Sequence, residues 1–202
     1  MSQNMMQDDV LFYQRFLKAN GFYPYKLDGK WGAKTDAADK EFSRQSQALA
    51  TKHGTFDARS ESNIITLSIK AQILARKFLK VFKDADKDVR IISGTRTYAE
   101  QDALYRKGRN GNTEMRVTNA KGGQSNHNFG IAWDIGFFEN GKYSTSDAKY
   151  KPLAKLVKPL FPDLEWGGDW KTFPDIPHYQ HKAVTDGVAQ VRGLFENGTA
   201  YV

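Results

Sequence analysis

No cysteine occurs anywhere in the 202 residues, so neither a disulfide framework nor a thiolate metal site can form, and any metal must be held by His, Asp or Glu. Histidine is scarce too, with four in the chain, which narrows a search for metal ligands to very few positions. No run of apolar residues is long enough to span a bilayer. The opening "MSQNMMQDDV" has neither a basic start nor an apolar stretch; it does not read as a secretory leader, and the expectation is a chain made soluble in the cytoplasm. There is also no block of Lys or Arg of the kind that tracks a phosphate backbone, and no internal repeat or low-complexity segment.

What is present suffices for a buried core, since 40% of the residues are hydrophobic. The formal net charge of +7 implies attraction to a polyanion, which can be nucleic acid, an anionic membrane surface or an acidic cell-wall polymer. Without a basic tail, nucleic acid is the weakest of the three.

The first segment places Phe12, Phe16 and Leu17 at helical spacing and stops at Asn20-Gly21, a helix-ending signal. After the turn formers of "FYPYKLDGKWG", Thr35 is expected to cap a second helix carrying Ala38 and Phe42. Through Gly21-Phe22, Asp28-Gly29, Trp31-Gly32 and Thr35 this segment resembles the peptidoglycan-binding helical repeat found beside cell-wall hydrolases. The same residues would equally build a plain helical hairpin. The polar stretch "TKHGTFDARSES" reads as an exposed linker, giving a helical module over 1–54 and a second domain over 55–202. From Asn63 on, Ile64, Leu67, Ala71, Leu74, Phe78 and Val81 lay one apolar stripe along an expected long helix. "VRIISGTRT" reads as a strand, "YAEQDALYRKG" as a helix closed by Gly108, and "RNGNTEMRVTNAKGGQ" as a long basic loop. Arg106, Arg109 and Arg116 fall in or beside that loop and can steer an acidic ligand or simply face solvent.

In "GIAWDIGFF", strand alternation puts Ile131, Trp133 and Ile135 on one face and Ala132, Asp134 and Gly136 on the other. A carboxylate between two small neighbours needs a cation, hydrogen-bond donors or water as a partner, because burying it alone costs several kcal/mol. His127 lies an odd number of residues away, and Gly130 can supply the turn that brings the two side chains together. The third ligand candidate comes from "PDIPHYQHK", where Pro177 keeps Ile176 extended and His178 shares a face with Gln180 while His181 points the other way. Two His and one Asp around zinc leave a position for water, as in a catalytic site. Asp175, three residues before His178, is placed to take that water's proton.

Together, Ser125, His127, Gly130, Ala132 and Asp134, then Asp175 and His178, fill the pattern "S-x-H-x-x-G-x-A-x-D" followed by "D-x-x-H". This resembles the zinc D-alanyl-D-alanine carboxypeptidase and L-alanyl-D-glutamate endolysin peptidase family. Ser93, Gly94, Arg96, Thr97 and Gln101 match its upstream segment, and "EWGGDW" resembles its endolysin branch. The resemblance implies an α+β fold: a small antiparallel sheet with packed helices, carrying Zn2+ on His127, Asp134 and His178. It implies catalytic roles for Asp175 and Arg96, the latter stabilising the substrate carbonyl, and substrate contacts for Ser125, Gln101 and Trp170. Glu165 is a second possible base or a supporting acid. The expected partner is peptidoglycan, cut between L-alanine and D-glutamate by a monomeric, phage-type endolysin that neither binds nucleic acid nor spans a membrane. A D-alanyl-D-alanine carboxypeptidase or dipeptidase is the enzyme alternative, and a wall-binding protein without chemistry the other.

Overall fold

The computed structural model describes residues 6–109, 111–185 and 187–202. Residues 1–5, on which the reading of the opening segment partly rests, and Asn110 of the basic loop lie outside the described residues. Helix α1 spans Gln7–Ala19 and buries Val10, Phe12, Phe16 and Leu17. It ends at Asn20, with Gly21 at φ 82°, a conformation that glycine adopts without strain. Helix α2, Ala33–His53, begins before Thr35 and runs through the first three residues of the stretch expected as a linker. Thr35 lies inside its first turn instead of capping it, and its buried hydroxyl accepts from Gln14 Nε2 at 3.1 Å. Gln14 also takes the backbone N–H groups of Asp28 and Gly29 on Oε1, at 3.0 and 2.9 Å. The Asp28-Gly29 turn is thereby stitched to α1, and Phe42 packs edge-on against Phe16 and Phe22.

Most of the stretch expected as a linker is helical: only residues 54–57 separate α2 from helix α3, Ala58–Ile64. Asp57 caps α3, accepting from the N–H groups of Arg59 and Ser60 at 3.1 Å each. The single long helix expected from Asn63 is two helices, because Ser68 caps a new one, α4, Ile69–Asp84, by accepting from the N–H of Ala71. Such a side-chain bond to the backbone competes with continued helix. The apolar stripe survives the break, with Ile64, Leu67, Ala71, Leu74 and Phe78 all buried. Then follow β1 (Asp88–Ser93), α5 (Tyr98–Arg106), β2 (Ala132–Glu139), β3 (Lys142–Tyr143), α6 (Asp147–Val157), β4 (Leu164–Trp166), β5 (His178–His181) and α7 (Val188–Glu196). The strands form one antiparallel sheet in the order β1-β2-β5-β4, with β3 paired to the end of β2. This is an α+β fold. None of the helices among the described residues is long and apolar enough to cross a membrane.

The backbone forms two compact units. One comprises Gln45–Thr95, Ile131–Lys182 and Val202, and holds the sheet with α3, α4 and α6. One sheet face, with Ile91, Trp133, Ile135, Trp166 and Tyr179, packs on Phe78 and Phe82 of α4 and on Leu153 and Val157 of α6. Phe78 meets Trp133 and Tyr179 edge-on, with ring centroids 5.7 and 4.8 Å apart. Each fully buried side chain of this size contributes about 1.5–3 kcal/mol, which fixes the orientation of the strands and frees the other face for polar residues.

Within the same unit Arg76 is fully buried and makes two hydrogen bonds to the Glu61 carboxylate, at 2.9 and 2.8 Å, and one to the carbonyl of Gly54 at 2.9 Å. Glu61 also accepts from the N–H of Phe56. Removing the acid strands a buried guanidinium, so Glu61→Ala should cost about 3–5 kcal/mol of stability. Urea unfolding measures it; a loss below about 1 kcal/mol would mean the pair behaves like a surface bridge.

The other unit comprises Met1–Arg44, Arg96–Gly130 and Ala183–Tyr201. Its core is aromatic: the Phe12 ring lies 5.5 Å from Tyr98 and 5.2 Å from Phe195, and Phe129 lies 5.4 Å from Phe195. Tyr201 donates its hydroxyl to the Phe129 carbonyl. That cluster anchors a 3-10 turn over Asn126–Phe129, which carries His127.

Candidate metal centre and active site

His127 is buried in this turn, with Phe129 held in the aromatic cluster on one side. Asn128, also fully buried, fixes the turn on the other side. Its Oδ1 accepts from the Gly123 N–H at 2.9 Å and its Nδ2 donates to the Arg96 carbonyl at 2.8 Å. The Arg96 N–H in turn donates to the His127 carbonyl at 3.1 Å, so the backbone of Arg96 is tied to the histidine turn. Gly94, two residues earlier, has no room for a side chain: a Cβ there would meet the Asn63 carbonyl oxygen and Thr66 Oγ1, each at 2.6 Å.

Gly130 ends the turn at φ 68° and ψ 23°, a left-handed conformation, and hands the chain to β2. Along β2 the core takes Trp133 and Ile135, which leaves Ala132, Asp134 and Gly136 on the opposite face. Antiparallel pairing sets Asp134 opposite His178 and Ala132 opposite Gln180, and on the next strand Glu165 opposite Gln180. Directly opposed residues share a face. The polar face of the sheet therefore gathers Asp134, His178, Gln180 and Glu165 around the small side chain of Ala132.

His178 Nδ1 lies 3.3 Å from Asp134 Oδ1, and His178 Nε2 lies 3.0 Å from Gln180 Oε1. His127, Asp134 and His178 each offer a ligand atom within 4.8 Å of the others, the one such group of three or more among the described residues. Burial lowers the pKa of His178, but the hydrogen bond and charge of Asp134, the Gln180 bond and the charge of Asp175 outweigh it, and the ring is held above its ordinary value. The pocket thus favours positive charge between the ring and the carboxylate. Imidazole nitrogens with a carboxylate oxygen and no thiolate are a donor set that suits Zn2+, so these three residues could hold the metal.

The approach to His178 is a tight turn, with the His178 N–H donating to the Asp175 carbonyl at 3.2 Å and the Asp175 N–H donating to the Gly167 carbonyl at 3.0 Å. Pro177 has no N–H to offer the sheet, but its carbonyl accepts from Ile135 at 3.0 Å and extends the pairing with β2. Gly167 permits this closeness: a Cβ there would meet the Asp175 carbonyl oxygen at 2.5 Å and the Cβ of His178 at 3.0 Å. The Asp175 side chain is exposed at the mouth of this turn. Trp170 stands beside His178, ring centroids 4.9 Å apart, and donates Nε1–H to Glu165 Oε1 at 3.1 Å.

Ser125 precedes the histidine turn, half-buried, and its carbonyl accepts from Asn128. Gln101 is buried, and its amide donates to the Ala120 carbonyl at 2.9 Å, bracing α5 against the basic loop. In that loop Arg109 lies over the Tyr105 ring and bonds Thr118 and Asn119, whereas Arg106 and Arg116 are exposed. Sequence reasoning missed Asn128 and Gly167. The one signal available for Asn128 was a short amide flanked by apolar residues and glycine, which is as common in ordinary turns as in sites.

Asp134 and His178 on the polar face of the sheet, with His127 from the turn before β2, make a three-residue donor set of the kind that could hold a single metal ion. Residues 118–181, which include all three donors, match the sequence model of the family described as D-alanyl-D-alanine carboxypeptidase. The likeness to that family is confined to this segment, about a third of the chain. It is similar to the peptidoglycan L-alanyl-D-glutamate endopeptidase CwlK of Bacillus subtilis (strain 168), at 37% identity over 108 residues, covering 46% of this chain and 60% of that relative. The chain thus spans about three fifths of the curated relative it matches. It is also similar to the crystal structure of the Serratia marcescens L-Ala D-Glu endopeptidase ChiX, at 27% identity and a TM-score of 0.48, over 62% of this chain and 88% of that one.

Proposed function

We propose that this chain is a peptidoglycan hydrolase that cleaves the L-alanyl-D-glutamate bond of the stem peptide, as a phage-type endolysin does. The observation that carries the proposal is that His127, Asp134 and His178 each offer a ligand atom within 4.8 Å of the others, with the Asp175 turn hydrogen-bonded to the His178 backbone. The bond assignment is supported by the likeness to CwlK. The alternative of trimming a terminal D-alanine is favoured by the family description, D-alanyl-D-alanine carboxypeptidase.

In this reading His127, Asp134 and His178 hold zinc, which when bound acidifies a water and polarises the scissile carbonyl. Asp175 takes the proton of the attacking water on its carboxylate and returns it to the departing amine nitrogen. The Arg96 guanidinium stabilises negative charge on the carbonyl oxygen as the water adds. Trp170 walls the cleft beside His178, and Ser125 and Gln101 contribute to substrate binding, Gln101 by shaping the loop it braces. Exposed Arg106 and Arg116 attract the acidic stem. The helical segment within 1–54 supplies affinity for the wall and 55–202 the chemistry. As an endolysin the monomeric enzyme accumulates in the producing cell and reaches the wall when another factor releases it.

Digestion of purified sacculi, followed by labelling of new amino termini, tests the bond. Fresh glutamate amino ends are the expected result. Free D-alanine without new glutamate ends would replace the proposal with the carboxypeptidase reading.

A further inference from the structure

We infer that Glu165 and Gln180 are positioning residues: together they form a brace that holds the His178 ring with Nδ1, not Nε2, toward the metal. The inference rests on the reading of His127, Asp134 and His178 as a zinc centre and adds to it two residues that do not touch the metal.

The brace starts from strand register. Glu165 on β4 lies directly opposite Gln180 on β5, and Gln180 lies two residues beyond His178 on the same face. Gln180 Nε2 donates to Glu165 Oε2 at 2.8 Å, and the other carboxylate oxygen takes the Trp170 indole N–H at 3.1 Å. A carboxylate accepts hydrogen bonds and does not donate them. The amide nitrogen of Gln180 must therefore face Glu165, which turns the amide oxygen toward His178. That oxygen also only accepts, so His178 Nε2, 3.0 Å away, must carry the hydrogen.

The consequence reaches the other side of the ring. With hydrogen on Nε2, the lone pair of the neutral imidazole sits on Nδ1, which faces Asp134 Oδ1 at 3.3 Å. A neutral ring in that form offers its lone pair on the same side as the Asp134 carboxylate, the two donors a metal ion needs. Glu165 thus acts on the metal through two intermediates, orienting the Gln180 amide, which orients the ring. His178 is 4% and Gln180 6% exposed, so water does not compete for these bonds, and the Trp170 ring at 4.9 Å limits rotation of the imidazole. Had the Gln180 amide been turned over, its NH2 group would face Nε2 and favour hydrogen on Nδ1, the wrong nitrogen for a ligand at this position.

The test is zinc affinity of the full chain, measured by competition with a chromophoric chelator, for the wild type and two variants. Gln180→Leu, which keeps the volume and removes the acceptor, should bind zinc about 10–100-fold more weakly, the usual effect of losing a partner behind a ligand. The exchange Glu165→Gln with Gln180→Glu should recover affinity to within about threefold of wild type, since the carboxylate would then accept from Nε2 directly and the amide at 165 would accept from Trp170 and donate to 180. A merely structural role for the pair predicts no such rescue. Long-range 1H–15N spectra of the zinc-loaded wild type should show the His178 hydrogen on Nε2. Unchanged affinity in a folded Gln180→Leu chain, or a hydrogen on Nδ1, overturns the brace while leaving the zinc centre standing. A wild type that binds no zinc overturns the zinc centre and the brace together. If Gln180→Leu does not fold, the wild-type spectrum and the exchanged pair decide alone.

Discussion

An Asp134→Asn chain is expected to fold normally while losing zinc and hydrolysis together. Asparagine has nearly the volume of aspartate, and the face of β2 that holds the sheet on α4 is built by Trp133 and Ile135, which the substitution does not touch. What changes is charge. Asp134 is the only carboxylate of the three-residue donor group, and its charge is a principal cause of the raised pKa of His178. With an amide in its place the pocket no longer favours positive charge at that point, and the metal faces two neutral imidazoles. The loss of zinc affinity should exceed the roughly 10–100-fold typical of a partner one step removed from the metal, and turnover should fall to background. Elemental analysis settles the assignment: full zinc content in the variant removes Asp134 from the ligand set. Wild-type activity lost to a chelator and regained with zinc is the matching result for the unaltered chain.

The grouping of His127, Asp134 and His178 is legible in the sequence because each step rests on a local rule. Period-two alternation gives Asp134 a face away from Trp133, Gly130 offers the left-handed residue needed to turn His127 toward it, and Pro177 starts the strand that puts His178 and Gln180 on one side. What alternation cannot give is which residue lies opposite which. Glu165 and Gln180 meet across 15 residues of chain, through a register set by the packing of Trp166 and Tyr179 on the far face. Nothing in "LEWGG" states that partner. The fold is legible to a similar depth. The apolar stripe from Ile64 to Phe78 identifies the core face, but periodicity is blind to the break, which a single serine hydroxyl makes at Ser68. Thr35 fails as a cap for a related reason: Gln14, a residue with no helical or turn signature of its own, takes its hydroxyl into a buried network tied to the Asp28-Gly29 turn.

Asp175→Ala should keep both fold and zinc, yet lose about 100-fold or more in turnover, the usual size of a general acid–base contribution. The two hydrogen bonds that build its turn are made by its main chain, from the Asp175 N–H to the Gly167 carbonyl and from the His178 N–H to the Asp175 carbonyl. Alanine preserves both, so His178 should stay in place. The carboxylate itself is exposed, which leaves it accessible to a proton from water, and its charge is felt at the His178 ring, which places it within electrostatic reach of the metal position. Glu165 is the rival for proton transfer, being an acid on the same face of the sheet. Its two oxygens, however, already take the Gln180 amide and the Trp170 indole, so accepting a proton from water would compete with both bonds. The two roles separate in a pair of variants. Loss of zinc affinity in Glu165→Ala and loss of turnover with full zinc in Asp175→Ala is the pattern expected here. Turnover lost in Glu165→Ala at unchanged zinc content, with Asp175→Ala still active, would move the base to β4 and leave Asp175 only the turn before His178.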